Sequence, residues 1–181
     1  MKMSDGGYRP AFNVQFATTT GTRVIVGVAV TNAGSDFGQL PPMLTQLQDR
    51  YRQVPPRVLV DGSYAKKQDL VTVSAPPWCT TVYAPVQLPK APARDRYTPR
   101  PDDPPAVAAW RQRMGTVAAQ TRYQARAATA EWANAQARNR GFRQVLVRGA
   151  VKVRAIALLQ ALAINLLQSL ALQPILQAAP A

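Results

Sequence analysis

Arg57-Val58-Leu59-Val60-Asp61-Gly62-Ser63-Tyr64 is the stretch whose reading decides the fold. Val58 to Val60 are branched and apolar, which predicts a short buried strand, and Asp61-Gly62 breaks it. The strand therefore delivers a carboxylate to its C-terminal tip, the edge of an α/β sheet where functional groups gather. A helix cap or turn aspartate accounts for Asp61 equally well.

Upstream, Ala11 to Thr18 alternates, with Phe12, Val14 and Phe16 on one side and Asn13 and Gln15 on the other, the pattern of a half-buried strand. Arg23 to Thr31 is rich in β-branched residues and predicts a second strand, joined to the first through Thr20-Gly21-Thr22 as a hairpin. Asn32 to Gly38 reads as a loop in which Asp36 caps a helix over about Pro41–Arg52, with Met43, Leu44 and Leu47 as its apolar stripe. Downstream, Ala65 to Leu70 predicts a short helix, and Val71–Val73 and Thr80–Pro85 further strand pieces. Val86 to Pro105 mixes six prolines with charges of both signs and reads as an irregular insertion, in which Asp95, Asp102 and Asp103 are loop charges. Helix resumes near Ala106. Residues 117 to 138 are alanine-rich and predict one long helix ending at Asn139–Gly141, and a last helix covers about Val145 to Leu172. The order of elements is that of an α/β domain with a mixed sheet.

The 181 residues suffice for one domain with a core, and 47% are apolar, which excludes a disordered tail. The formal net charge of +13 points to a polyanionic partner, nucleic acid before a membrane surface. One cysteine, Cys79, excludes an internal disulfide framework and a cysteine-rich zinc site, and the absence of histidine excludes Ser-His-Asp and Cys-His catalysis. Carboxylates with hard divalent metals remain as catalytic tools. Residues 155 to 181 carry no charge, but Gln160, Asn165, Gln168, Ser169 and Gln173 interrupt the run and Pro174 stops it. That reads as a packed helix, not a membrane span. Met1 to Pro10 has no apolar core, so no signal peptide is expected and the chain reads as cytoplasmic.

A second candidate is Glu131. On a straight helix at about 100° per residue, Tyr123, Glu131, Asn134 and Arg138 share one face, with Arg126 at its margin. Glu131 is the only acid between Arg122 and Arg154, among Arg122, Arg126, Arg138, Arg140, Arg143, Arg148, Lys152 and Arg154. A carboxylate in that field is ionised and suited to hold a metal beside a phosphate backbone. A salt bridge from Glu131 to Arg126 or Arg138 is the plainer alternative. The arginines suit bidentate phosphate contacts, and a solvated helical face explains them as well.

Together these segments resemble the DDE transposase domain of bacterial insertion sequences, in the group with a Tyr-Arg-Glu-Lys helix motif. Asp5 to Gln15 looks like the family's "GYNVQ" strand, and Thr31 to Leu44 like the loop and helix start that follow. Val60 to Ala65 resembles the "D-G-G-Y" block of the second catalytic aspartate. Tyr123, Arg126 and Glu131 resemble the block of the catalytic glutamate, and Ala163, Asn165 and Leu166 the "A-x-N-L" ending. The resemblance implies a ribonuclease H-like mixed sheet with flanking helices and long C-terminal helices, over a partial catalytic domain at 4–172. The proline-rich insertion falls at about 86–105, and 173–181 form a flexible tail. It implies Asp61 and Glu131 as catalytic metal ligands, with Mg²⁺ or Mn²⁺ as cofactor, and Tyr123, Arg126 and Arg138 as DNA-positioning groups. The implied partners are DNA at transposon ends and a further copy of the chain, with no membrane role. Two metal ions would activate water or a 3′ hydroxyl for in-line phosphoryl transfer.

Three departures stand out. Ser63 replaces the usual second glycine, and Arg138 stands where relatives carry lysine. The family's first catalytic aspartate lies on a strand upstream of "GYNVQ", whereas Asp5 follows Met1 closely and sits in a turn. The expectation is a domain truncated at its N-terminus, with unpaired edges on both neighbours of the missing strand, poorly stable and inactive alone or dependent on a partner chain. A non-catalytic basic nucleic-acid-binding protein is the alternative function, and a basic membrane-associated small protein is a third.

Overall fold

The computed structural model describes residues 11–88, 95–142 and 145–178. The chain divides into two compact units. One holds the N-terminal hairpin and everything from Ala127 onward, and the other spans Ser35 to Arg126.

In the first unit, β1 (Asn13–Thr18) and β2 (Ile25–Thr31) form an antiparallel hairpin, with Asn13 opposite Thr31 and an irregularity at Ala17/Thr18. Val14, Phe16 and Val30 pack on a core of Ile25, Val28, Ala133, Ala137, Ala157, Ala161 and Ile164. Gln15, on the opposite face of β1, is buried as well. The helices contributing to this core are α5 (Trp132–Asn139) and α6 (Ala150–Ala178). Their buried alanines, spaced by four, bring the helix backbones close to the sheet. Gly141, at φ +83°, ends α5 in the left-handed conformation that glycine tolerates best. The amides of Gly141 and Phe142 there donate to Arg138 O and Ala137 O.

Asn165 joins α6 to the hairpin. Its Oδ1 accepts from Ile25 N at 2.8 Å and its Nδ2 donates to Ile25 O at 2.7 Å. The side-chain amide thus serves both polar groups of one strand residue, as a neighbouring strand would. Gln168 adds a hydrogen bond to Thr22 O at 2.9 Å. By length and composition Ala150–Gln173 could cross a membrane. One face of this helix is nevertheless committed to the core it shares with the hairpin through Ala157, Ala161 and Ile164, while Leu159, Leu162, Leu166 and Leu170 are exposed.

In the second unit, α1 (Leu40–Tyr51) leads to β3 (Arg57–Leu59), a 3₁₀ turn at Gly62–Tyr64, α2 (Lys67–Ser74) and β4 (Thr81–Tyr83). β3 and β4 are parallel, Val58 opposite Val82, and Val60 N extends the pairing to Tyr83 O. α2 is the crossover that a parallel pair requires. α3 (Pro105–Met114) and α4 (Val117–Arg126) complete the unit. Leu44, Leu70, Val73, Val82 and Val107 are fully buried within it.

The observed architecture is mixed α/β and helix-rich, with one antiparallel and one parallel two-stranded sheet. Several local expectations are corrected. Val71–Val73 belongs to α2, because Leu70 and Val73, three apart, face the core together and helical spacing overrides β-propensity. Asp36 does not cap α1: Gln39 holds the cap position without a side-chain bond, and the Asp36 carboxylate bonds to Ser63 instead. α6 starts at Ala150, after Gly149 at φ +91°, and runs past Pro174, since a proline removes one helical bond without necessarily ending the helix. Asp103 is no loop charge. Its buried side chain pairs with Lys67 at 2.9 Å and Arg111 at 2.7 Å, tying the segment before α3 to α2.

The predicted helix over 117 to 138 is interrupted by a π-helical turn at Ala127–Glu131. A π turn shifts the residues after it around the axis. The single face drawn through Tyr123, Glu131, Asn134 and Arg138 assumed unbroken α-helical spacing, which the π turn interrupts between Tyr123 and Glu131.

Candidate active site

β3 delivers Asp61 as expected. Asp61 is extended (φ −69°, ψ 161°) and starts the 3₁₀ turn, its carbonyl accepting from Tyr64 N at 3.0 Å. Oδ1 accepts from Gly62 N at 2.6 Å, which leaves Oδ2 facing Arg126 Nη2 at 3.7 Å, an ion pair longer than a hydrogen bond. The Asp61 side chain is 56% exposed and the Arg126 side chain 25%. The turn aspartate of the plainer reading and the presented carboxylate are thus one residue, with one oxygen used locally and one available. Gly62 is not sterically required, since an added Cβ would meet Pro85 only at an ordinary contact distance of 3.6 Å.

α4 brings Tyr123 and Arg126, three apart, to the same place. Burial raises the Tyr123 pKa, and the Arg126 guanidinium opposes that shift while bonding to the phenol. Tyr64 also belongs to the cluster. Burial pushes its phenol well above the usual tyrosine range, and the carboxylates of Asp36 and Asp61 push it further against the pull of Arg126. Both phenols therefore stay protonated and can donate to an anion at neutral pH. Arg126 is the cation that this group of two acids and two phenols shares.

Glu131 lies in the other unit, at the last position of the π turn, and is exposed. Asn134 and Arg138 follow at helical spacing on α5 and are exposed too. Among the described residues of that unit, Glu131 is the only acid, and it makes no ion pair with Arg138. Arg23, Arg138, Arg140, Arg148, Lys152 and Arg154 are the described bases of the same unit: Arg23 is exposed beside the hairpin turn, Arg138 lies on α5, Lys152 and Arg154 on α6, and Arg140 and Arg148 in the segment between those helices. Arg143 lies outside the described residues. In the second unit Arg122 sits over the Tyr83 ring at 5.7 Å, so part of its function is packing.

The structure thus brings together Asp61, Tyr123 and Arg126, and assigns Glu131 and Arg138 to the other unit. Among the described residues no three carboxylate, cysteine or histidine side chains gather into a metal-binding group. Asp61 by itself suits one position in the shell of a hard cation, with an exposed oxygen already facing a positive charge. Sequence reasoning missed Asp36 and Tyr64 as members of the cluster. Their signal was the block after Asp61, where Ser63-Tyr64 supplies two hydroxyls next to the carboxylate.

A family model described as "Transposase DDE domain" matches residues 79–170, just over half of the chain. The chain belongs to the DDE transposase family. The match contains Tyr123, Arg126, Glu131, Arg138 and Asn165 and leaves Asp61 outside it. No curated protein and no solved structure matches the chain. Transposase domains of this family act on DNA and generally use divalent metal ions.

Proposed function

We propose that this transposase domain belongs to the insertion-sequence group with the Tyr-Arg-Glu-Lys helix motif, and that it contributes Asp61 and Glu131 to a metal-dependent DNA strand-cleavage and strand-transfer site. The observation that carries this reading is the arrangement of Asp61, Tyr123 and Arg126. A carboxylate at a strand tip keeps one exposed oxygen, beside a guanidinium and a protonated phenol suited to phosphate. The chain order of antiparallel hairpin, then parallel β-α-β, then helices supports a ribonuclease H-like fold.

In this reading Asp61 and Glu131 together hold Mg²⁺ or Mn²⁺. The bound metal supplies Lewis-acid polarisation of the scissile phosphate and a nucleophile at neutral pH. Arg126 and Arg138 contact backbone phosphate, Tyr123 donates to a phosphate oxygen, and the exposed bases of α5 and α6 add sequence-independent affinity. The third carboxylate that the resemblance implies is not assigned to any described residue, so the chain alone is expected to bind metal and DNA without turnover. The work is on DNA in the cytoplasm, with transposon ends as substrate.

The test is fluorescence anisotropy of a short duplex with and without Mn²⁺. The domain should bind more tightly with the metal, and Asp61→Asn and Glu131→Gln should each abolish that increment while keeping the metal-free affinity. If binding is strong, salt-dependent and indifferent to both substitutions, the protein is a non-catalytic nucleic-acid binder.

A further inference from the structure

We propose that Asp36 is a positioning residue for Asp61, clamping the turn after β3 so that the free Asp61 oxygen is presented in one place. The inference rests on the reading of Asp61 as a metal ligand.

Asp61 is poorly fixed by its own contacts. Its side chain is mostly exposed, its ion pair with Arg126 spans 3.7 Å, and the turn it begins has only three residues. A 3₁₀ turn of that length has weak hydrogen-bond geometry. Two side chains of the turn reach back to a single carboxylate: Ser63 Oγ donates to Asp36 Oδ2 at 2.9 Å, and the Tyr64 hydroxyl bonds to Asp36 as well. Hydrogen bonds to a charged acceptor are about twice as strong as neutral ones. Asp36 therefore restrains the turn from outside it, through both of these side chains.

The clamp is itself anchored. The Asp36 carbonyl accepts from Gln39 N at 3.1 Å, and Gly38 N donates to Oδ2 of the buried Asp69 at 2.7 Å. Directly after this loop, α1 buries Leu40, Leu44 and Leu47. The cap position of α1 is held by Gln39, not by Asp36. Its place four residues ahead of the helix serves the turn, in the way that groups behind a metal ligand orient it.

The restraint should appear in metal affinity before it appears in stability. Mn²⁺ binding to the full chain is measured by the loss of the free-ion EPR signal, with urea unfolding measured alongside. Asp36→Ala is expected to weaken Mn²⁺ about tenfold, Ser63→Ala about threefold, and Asp36→Asn less than Asp36→Ala because one acceptor oxygen survives. If Asp36→Ala does not fold, Ser63→Ala and Asp36→Asn carry the test. Unchanged Mn²⁺ affinity in these variants, where Asp61→Asn abolishes binding, overturns the positioning role and leaves Asp61 as ligand. Unchanged affinity in Asp61→Asn overturns that underlying reading, and the positioning role with it.

Discussion

Replacing Asp103 by asparagine removes a charge and almost no volume, so its effect isolates one buried ionic group. The Asp103 side chain is fully buried between Lys67 and Arg111. Lys67 is 43% exposed and keeps Asp102 at 3.1 Å, so it can be resolvated. Arg111 is 7% exposed and also donates to the Arg96 carbonyl at 3.0 Å, so without Asp103 its guanidinium loses a carboxylate that water cannot replace. Removing one partner of a buried pair costs about 3–5 kcal/mol, and the exposed lysine places this case at the lower end, about 3 kcal/mol. At a slope of about 1–2 kcal/mol/M, the urea midpoint of the Ser35–Arg126 unit should fall by about 1.5–3 M. Acid works on the same group. Burial pushes the Asp103 carboxyl up, but bonds from Lys67, the Arg100 amide and Arg111 outweigh it and hold the pKa at about 2, below the ordinary 3.8. A depressed carboxylate stabilises the fold above its unfolded pKa and loses that contribution as pH falls through the folded one. The gap between wild type and Asp103→Asn should therefore narrow between about pH 4 and pH 2, by on the order of 1–2 kcal/mol. Asp103→Asn combined with Arg111→Met should recover most of the neutral-pH loss. A loss below about 0.5 kcal/mol at pH 7 would refute the reasoning.

Other perturbations separate folding from function. Asn165→Leu leaves both polar groups of Ile25 without their side-chain partner, at about 1–3 kcal/mol, and hydrogen exchange at the β2 end should speed up while α1 and α2 are unaffected; uniform protection would contradict this. Arg126→Gln removes the cation beside Asp61, so metal-free DNA affinity should drop several-fold while Mn²⁺ affinity rises, as titration of both ligands would show. Gly62→Ala should leave Mn²⁺ binding and the urea midpoint within error, since the position has room for a methyl group.

How far the sequence could be read depended on whether an effect is local. The hairpin, β3 and the exposed carboxylate of Asp61 were legible, because alternation, β-branching and Asp-Gly act within a few residues. α2 was misread at Val71–Val73 because two valines around a threonine look like strand, and only packing shows Leu70 and Val73 on one helical face. The π turn at Ala127–Glu131 has no compositional mark in an alanine-rich run, and it interrupts the regular α-helical spacing drawn from Tyr123 to Glu131. Asp36 and Asp103 were assigned by their neighbours in sequence, as cap and loop charge. Their partners, Ser63 and Arg111, are 27 and 8 residues away, a choice made by the tertiary fold. Asn165 stood out only as part of an "A-x-N-L" resemblance, and its role as a surrogate strand partner needed Ile25 in place.

The proposal on which the functional reading turns is that Asp61 and Glu131 both serve as metal ligands. Nitroxide labels at the exposed positions Lys66 and Ala135, in a Cys79→Ser background, flank the two without touching either, and pulsed EPR reads their separation. If both carboxylates hold the same metal site, the labels should give one narrow distribution below about 25 Å that sharpens on adding Mg²⁺. A distribution centred beyond about 40 Å, unmoved by Mg²⁺ and DNA, would contradict it.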